Sequence, residues 1–365
     1  MKKRIIHVIL DGVGDKSYKQ LDFKTPLEYA NTKNLDFLAS MSSCGLLWPI
    51  KGIAPESGVS QFVLLGYPLS LYPGRGILEA LGAGIKIRKN FVYFRCNFAR
   101  IKGRRIVNFR EKVPSKKLIE KINKIDKDIK LFPTKEYRAI LVVKGIKPNV
   151  SNTNPSYVRI GNFSKAVKPR PFKAKCKGDK KSCEKINRFV EKLEKLVPGK
   201  TILLRGASNK LPKLRKLKNW LFIGDMPIEF GIAKLLGMKI LKVKGNAREK
   251  LKIALESRQN VYLQIKGPDE ASHKGNVMEK VKEIEKIDKA FSIVKKAIKL
   301  KNSDFVLCIT ADHSTPCSLR VHSADPVPCL VYGKEKKDKV RHFNEKECKR
   351  GFRLEGKELM HYLKT

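Results

Sequence analysis

Phe305-Val306-Leu307-Cys308-Ile309-Thr310-Ala311-Asp312-His313 is an apolar run that ends abruptly in an aspartate and a histidine. It reads as a buried strand that delivers two metal ligands at its C-terminal end. In open parallel α/β sheets, ligands bind in the crevice outside the carboxyl ends of the strands. Two other runs have the same character. Arg4 to Leu10 ends in Asp11-Gly12, and Asn260 to Ile265 runs into Lys266-Gly267-Pro268-Asp269, with His273 four residues further on. His322 follows nine residues after His313, just before the apolar run Pro328 to Val331. The chain has only six histidines, and three of them fall beside these strand-end aspartates. One such pair alone is as well explained as a helix cap or a turn hydrogen bond. Three strand ends together with His322 point to a metal site. A set of carboxylates and imidazoles without cysteine suits Mn, Zn, Co or Fe better than Ca or a purely structural zinc.

At 365 residues the chain exceeds the size at which one hydrophobic core stops growing, so two domains are expected, and 42% hydrophobic residues suffice to fill them. No stretch supplies the uncharged apolar length of a membrane span. The opening Met1-Lys2-Lys3-Arg4 imitates a signal peptide, but Asp11, Asp15 and Lys16 cut the apolar run short, which fits the first strand of a cytoplasmic protein. The eight cysteines contain no Cys-x-x-Cys pair, which argues against a disulfide scaffold or zinc ribbon; Cys176 and Cys183 are near enough to pair, without anything in the sequence requiring it. The formal net charge of +44 fits either an anionic partner or a lysine-rich proteome, as in heat-loving organisms. The lysines are spread over many segments rather than gathered into a stripe with interleaved aromatics. This favours solvated helix faces over a nucleic-acid site, and the field still draws in anionic metabolites.

Along the chain, Thr25-Pro26-Leu27-Glu28 predicts a capped helix running to about Met41. Ser57 precedes an apolar helical run, where a serine is commonly an N-cap and can also be a nucleophile beside a helix N-terminus. A helix at 77–81 is followed by short β-like runs at 91–98, 106–109 and 137–143, with a helix near 116–125 and long loops over 151–182. A helix at 183–196 leads to strand and helix alternation from Thr201 onward, and the spacing from Val281 to Ile298 predicts one long helix over 277–300. The change in texture predicts an inserted α+β domain.

The motifs Asp11-Gly12-x-Gly14, Thr25-Pro-Leu-Glu28, Leu65-Gly-Tyr67 after Ser57, Gly74-Arg75-Gly76, Phe94-Arg95-Cys96-Asn97, Leu204-Arg205-Gly206, Lys266-Gly-x-Asp269-x-x-x-His273, Ile284-Glu-Lys-Ile-Asp288, Thr310-Ala-Asp312-His313-Ser314 and His322-x-x-x-Pro326 stand in one order over nearly the whole chain. Together they resemble the archaeal-type cofactor-independent phosphoglycerate mutases, members of the alkaline phosphatase superfamily. The resemblance implies an α/β fold: an alkaline-phosphatase-like sheet with helices on both faces, interrupted by a smaller α+β domain that covers substrate. The implied boundaries are 1–85 and 199–365 for the metal domain and 86–198 for the insertion. It implies interconversion of 3-phosphoglycerate and 2-phosphoglycerate through a phosphoserine, with two divalent ions, manganese foremost and cobalt, zinc or magnesium as alternatives, and no 2,3-bisphosphoglycerate. Carried over by position, Asp269, His273 and His322 would hold one ion, and Asp11, Asp312, His313 and the nucleophile Ser57 the other. Arg75, Arg95, Asn97, Arg138, Arg205 and Lys266 would contact a small phosphorylated metabolite.

The chain departs from the family pattern at Gly58, where an acidic residue commonly follows the nucleophile, and at Gln61, where a histidine is usual. Asn154-Pro155-Ser156 replaces a typical Asp-Pro-His, and Asn276 an expected aspartate. Assignment of Ser57 rather than Ser60 rests on the count back from Leu65-Gly66-Tyr67. Competing readings are a metal-dependent phosphomonoesterase or sugar-phosphate mutase of the same superfamily and, more remotely, a basic nucleic-acid-binding protein on an enzyme fold.

Overall fold

The structure is a computed structural model and describes residues 3–243, 245–300, 304–334 and 337–365. In chain order, β1 (Arg4–Leu10), α1 (Pro26–Tyr29), α2 (Lys33–Ser40), β2 (Ser43–Trp48), α3 (Ser57–Leu64) and α4 (Arg75–Gly82) come first. They are followed by β3 (Phe91–Lys102), β4 (Arg105–Asn108), α5 (Lys116–Ile122), β5 (Ile129–Pro133), β6 (Arg138–Lys144), β7 (Tyr157–Ile160), β8 (Phe163–Ala166), α6 (Lys180–Leu196) and β9 (Lys200–Ser208). Then come β10 (Trp220–Ile223), α7 (Pro227–Leu236), β11 (Lys239–Leu241), α8 (Ala247–Glu256), β12 (Asn260–Ile265), α9 (Pro268–Lys274), α10 (Val277–Ala290) and α11 (Ser292–Lys299). The chain closes with β13 (Phe305–Thr310), β14 (Val327–Tyr332), α12 (Glu345–Cys348), β15 (Phe352–Glu355) and α13 (Gly356–Lys364).

Two compact units result, one from Met1–Ser70, Lys216–Asp225 and Leu236–Thr365, the other from Leu71–Arg215 and Met226–Leu235. The larger unit is built on an eight-stranded sheet in the order β11-β10-β12-β1-β13-β14-β2-β15. Its first five strands are parallel, as the strand-end pattern predicts. β14 runs antiparallel to both β13 and β2, so the sheet is mixed. Pro328 is tolerated inside β14 because the ladder to β13 covers only Leu330 to Tyr332. Register decides the rest. Leu10 lies opposite Ile265 and Ile9 opposite Thr310, so the residues that follow β1, β12 and β13 emerge at one edge of the sheet.

Two helices are shorter than the sequence predicts. The segment after Thr25 breaks into α1 and α2, and Thr32 places no side-chain cap on α2. Asp288 of α10 supplies it instead: its carboxylate accepts from the backbone N–H groups of Asn34 (3.0 Å) and Leu35 (2.8 Å). The expected single helix over 277–300 divides into α10 and α11 at Phe291, whose side chain is fully buried.

The smaller unit has an antiparallel sheet in the order β4-β3-β6-β5, with β9 also paired to β3. α6 buries Ile186, Phe189 and Leu193 against Val92, Phe94 and Leu141 of this sheet. The α+β texture is as expected, but the bounds differ. β9, placed after the insertion by the sequence, pairs Arg205 with Arg95 and so belongs to the smaller sheet, and α4, which precedes residue 86, lies in the smaller unit. Gly76 is where α4 meets β3: a Cβ there would lie 2.0 Å from the Tyr93 carbonyl oxygen. The stretch 151–182, expected as loops, contains the β7–β8 hairpin.

Candidate two-metal active site

In the larger unit the shared sheet edge gathers Asp11 after β1, Lys266 and Asp269 after β12, and Asp312 and His313 after β13. Asp11 and Asp312 are 4% and 0% exposed. His313 is the centre of the group. Its Nε2 lies 3.6 Å from Asp11 Oδ1 and 3.6 Å from Asp312 Oδ2, and its ring stacks on His322 with centroids 3.6 Å apart. His322 Nε2 is 3.7 Å from Asp269 Oδ1, and His273 Nε2 is 3.3 Å from Asp269 Oδ2. Two sets therefore present atoms close enough for one ion each: Asp269, His313 and His322, and Asp11, Asp312 and His313. His313 stands in both, while His273 reaches the first through the far oxygen of Asp269.

The histidines are held so that Nε2 faces the group. His322 Nδ1 donates to the Pro55 carbonyl (2.6 Å), and His273 Nδ1 to that of Arg320 (2.8 Å). His313 is set by a relay. Thr315 Oγ1 donates to Asp269 Oδ1 (2.9 Å), so it accepts from His313 Nδ1 (2.9 Å). With each Nδ1 committed to donation, each Nε2 is the acceptor nitrogen turned toward the group, the arrangement that metal-binding imidazoles require. Sequence reasoning passed over Thr315; its place two residues after His313 was the available signal.

Electrostatics agree. Burial pushes the Asp312 carboxyl well above its ordinary range, reinforced by the neighbouring Asp11. Burial acts on Asp269 in the same sense, but His273, His313 and His322 outweigh it and hold that carboxyl well below the ordinary range. Burial holds His322 down to about 3, helped by His313 beside it, and it lowers His313 as well. Lys266 Nζ, 2.6 Å from Asp11 Oδ2, is a near cation. Asp11 Oδ1 is buried and accepts no hydrogen bond. An orphaned carboxylate oxygen among acceptor Nε2 atoms is what a divalent cation satisfies, so the donor set fits one.

α3 brings Ser57 to the group by its N-terminus. Ser57 Oγ lies 3.1 Å from His313 Nε2, in position to donate to it. Ser60, the other serine of that helix, is fully buried with its Oγ unpaired, away from this contact. Gln61, at the position where a histidine is usual, donates from Nε2 to Asp312 Oδ2 (3.2 Å). The departure at Gln61 therefore keeps a polar contact to the site, whereas Gly58 adds none.

In the smaller unit the expected substrate arginines collect around Glu79 of α4. Arg75 Nε donates to Glu79 Oε1 (2.6 Å), and Arg95 Nη1 to Oε2 (2.8 Å). Burial works to raise Glu79, but Arg95, Arg75 and Arg205 outweigh it and hold its carboxyl at about 2. Burial pulls the Arg95 guanidinium down to about 10 against the opposing pull of Glu79. Arg205 lies over the Tyr157 ring at 3.6 Å. Three guanidinium groups around one carboxylate leave an excess of positive charge suited to an anion. Asn97 Oδ1 is buried there without a partner, on the strand that carries Arg95. Arg138 lies opposite Asn97 across β3 and β6, where its charge adds to the downward pull on Arg95, and it is paired with Glu136 (2.6 Å) and stacked on Tyr137.

Comparison with known proteins places this fold. Residues 39–202 match the family model described as 2,3-bisphosphoglycerate-independent phosphoglycerate mutase. Among solved structures, a cofactor-independent phosphoglycerate mutase from Thermoplasma acidophilum superposes with a TM-score of 0.63 at 28% identity, covering 99% of this chain and 98% of that one. A Pyrococcus horikoshii protein superposes with a TM-score of 0.79 at 26% identity, covering 100% and 97%. The chain thus has the mixed α/β fold of a cofactor-independent mutase. At the level of sequence it is 34% identical to 2,3-bisphosphoglycerate-independent phosphoglycerate mutase 2 of Methanocaldococcus jannaschii, over 99% of this chain and 92% of the relative. It is 32% identical to the 2,3-bisphosphoglycerate-independent phosphoglycerate mutase of Methanopyrus kandleri, over 100% and 96%. The chain belongs to the 2,3-bisphosphoglycerate-independent phosphoglycerate mutase family.

Proposed function

We propose that this chain interconverts 3-phosphoglycerate and 2-phosphoglycerate through a phosphoserine on Ser57. Family membership supports the reaction. The observation that carries the proposed chemistry is the 3.1 Å contact of Ser57 Oγ with His313 Nε2 inside the convergent Asp/His group. Asp269, His273 and His322 are assigned to one divalent ion, and Asp11, Asp312, His313 and Ser57 to the other, with manganese foremost. Bound there, the ions would supply Lewis-acid stabilisation to the serine oxygen and to the phosphoryl oxygens.

Ser57 Oγ attacks phosphorus in line; its bond to phosphorus forms as the bond to the glycerate oxygen breaks, and the proton that Ser57 gives up ends on that oxygen. The N-terminus of α3 favours the phosphoryl charge where it arrives. The other glycerate hydroxyl then attacks the phosphoserine phosphorus; its bond to phosphorus forms as the Ser57 Oγ–P bond breaks, and the proton it gives up returns to Ser57 Oγ. Arg75, Arg95 and Arg205, with Asn97, are assigned to the substrate carboxylate, Glu79 holding two of the guanidinium planes. Lys266 would screen the phosphoryl charge beside Asp11, and Arg138, opposite Asn97 across β3 and β6, is assigned to substrate with the other arginines. Water must stay out, because water in place of the second hydroxyl would release inorganic phosphate.

Acid quenching of the metal-loaded protein during turnover, followed by peptide mass spectrometry, is expected to find phosphate on Ser57. A phosphate on Ser60, or on no serine while turnover proceeds, removes the proposed nucleophile.

A further inference from the structure

We infer that Cys176 and Cys183 are a covalent modification site: they join in a disulfide that ties the loop before α6 to the first turn of that helix. Their Sγ atoms lie 2.7 Å apart, within about 0.7 Å of the bonded separation and closer than unbonded sulfur atoms pack. Backbone contacts produce the approach independently of the sulfurs. Asn187, one helical turn beyond Cys183, accepts from the Cys176 N–H (3.0 Å) and donates to the Cys176 carbonyl (3.3 Å), which lays Cys176 along the helix face that carries Cys183. Both thiols are buried, 5% and 6% exposed, in the core of the smaller unit. A bond formed there is shielded from reductants.

The linked segment bears on the arginine strand. The Ser151 N–H donates to the Lys177 carbonyl (2.6 Å), and Ser151 Oγ accepts from the Lys177 N–H (2.9 Å), so residues 151 and 177 run side by side. Asn152 Oδ1 then accepts from the Gly206 N–H (3.1 Å), and Thr153 Oγ1 from the Leu204 N–H (2.8 Å). These contacts flank Arg205. The bond would fix the frame that supports it.

The oxidant is a low-molecular-weight disulfide. One cysteine thiolate attacks an oxidant sulfur and expels a small thiolate; the second attacks the protein sulfur of the mixed disulfide and expels another. One protein S–S bond forms, and the oxidant takes two electrons and the two cysteine protons as it becomes two thiols. Burial, with Cys183 alongside, pushes the Cys176 thiol above its ordinary range, so exchange runs while the loop is open.

The full chain, incubated with oxidised glutathione, denatured, alkylated and digested with trypsin, tests this directly. The expected product is one cross-linked peptide pair containing Cys176 and Cys183, cut between them at Lys177, Lys180 and Lys181 and separated by reductant, with the other six cysteines alkylated. Alkylation of all eight, or linkage to a different cysteine, overturns the assignment. Because the closed loop is short, oxidation is expected to raise the unfolding midpoint by roughly 5–10 °C over the reduced protein. The double variant C176S/C183S should unfold with reduced wild type and ignore oxidant. Equal midpoints for oxidised and reduced wild type remove the clamp.

Discussion

Ser57 Oγ donates to His313 Nε2 across 3.1 Å, joining the first residue of α3 to the end of β13. The proposed nucleophile and the imidazole shared by both candidate metal sets therefore occupy one point. Ser57→Ala removes the hydroxyl without disturbing a buried core residue. Turnover should fall by about 10⁴-fold or more while the unfolding midpoint stays within a degree or two. A coupled assay with enolase reads this, with Ser60→Ala as the control that should keep most activity; the reverse pattern would move the nucleophile to Ser60.

Thr315 is expected to act through His313. Thr315→Val keeps the shape but removes the hydroxyl that accepts from His313 Nδ1 and donates to Asp269, freeing the imidazole to take the other tautomer. Metal affinity should drop about 10–100-fold, and Thr315→Ser should restore it. Titration with manganese followed by electron paramagnetic resonance checks this. Unchanged affinity in the valine variant would leave Thr315 with packing alone.

Glu79 compensates buried guanidinium groups. Glu79→Gln leaves Arg95, 3% exposed, without its counter-charge, and should destabilise the protein by about 3–5 kcal/mol in urea unfolding. A loss below about 1 kcal/mol would mean that Arg95 finds another partner.

His7 lies in β1, fully buried, with neither ring nitrogen paired, and burial holds it down from 6.5 to about 3. Above pH 6.5 the imidazole is neutral in both folded and unfolded states and its contribution is intact. Below that, the unfolded chain takes a proton that the folded chain refuses, so stability falls as pH drops toward 3. His7→Phe should flatten the acid slope by up to about 1.4 kcal/mol per pH unit, one proton's worth. Urea midpoints at pH 7, 5.5 and 4.5 for metal-free protein decide it, and parallel slopes for the two proteins would count against a neutral buried His7.

The strand-end aspartates were legible because the parallel register of β1, β12 and β13 turns a sequence pattern into an edge of the sheet: a run of buried residues followed at once by Asp is a local signal. What the sequence hid is non-local. Asp288 caps α2 from another helix, so the break after Tyr29 has no signature in its own segment. β2 is flanked by β14 on one side and β15 on the other, strands far along the chain, and its Gly45 approaches Phe352 too closely for a side chain. β9 follows α6 in sequence but is claimed by β3 through Arg95 and Arg205. The arginine cluster was named residue by residue, and Glu79 stood in the motif that follows Arg75, yet nothing local showed that it would pair with Arg95 on β3.

Transfer of phosphate between the two hydroxyls of one glycerate, without its release, is tested most directly by phosphorus NMR. Manganese-loaded protein acts on 3-phosphoglycerate, with samples quenched by chelator before acquisition. The resonance of 2-phosphoglycerate should grow to a constant ratio with its isomer while inorganic phosphate stays at the level of a protein-free control. Growth of inorganic phosphate at the expense of both esters would contradict a mutase and make the chain a phosphatase.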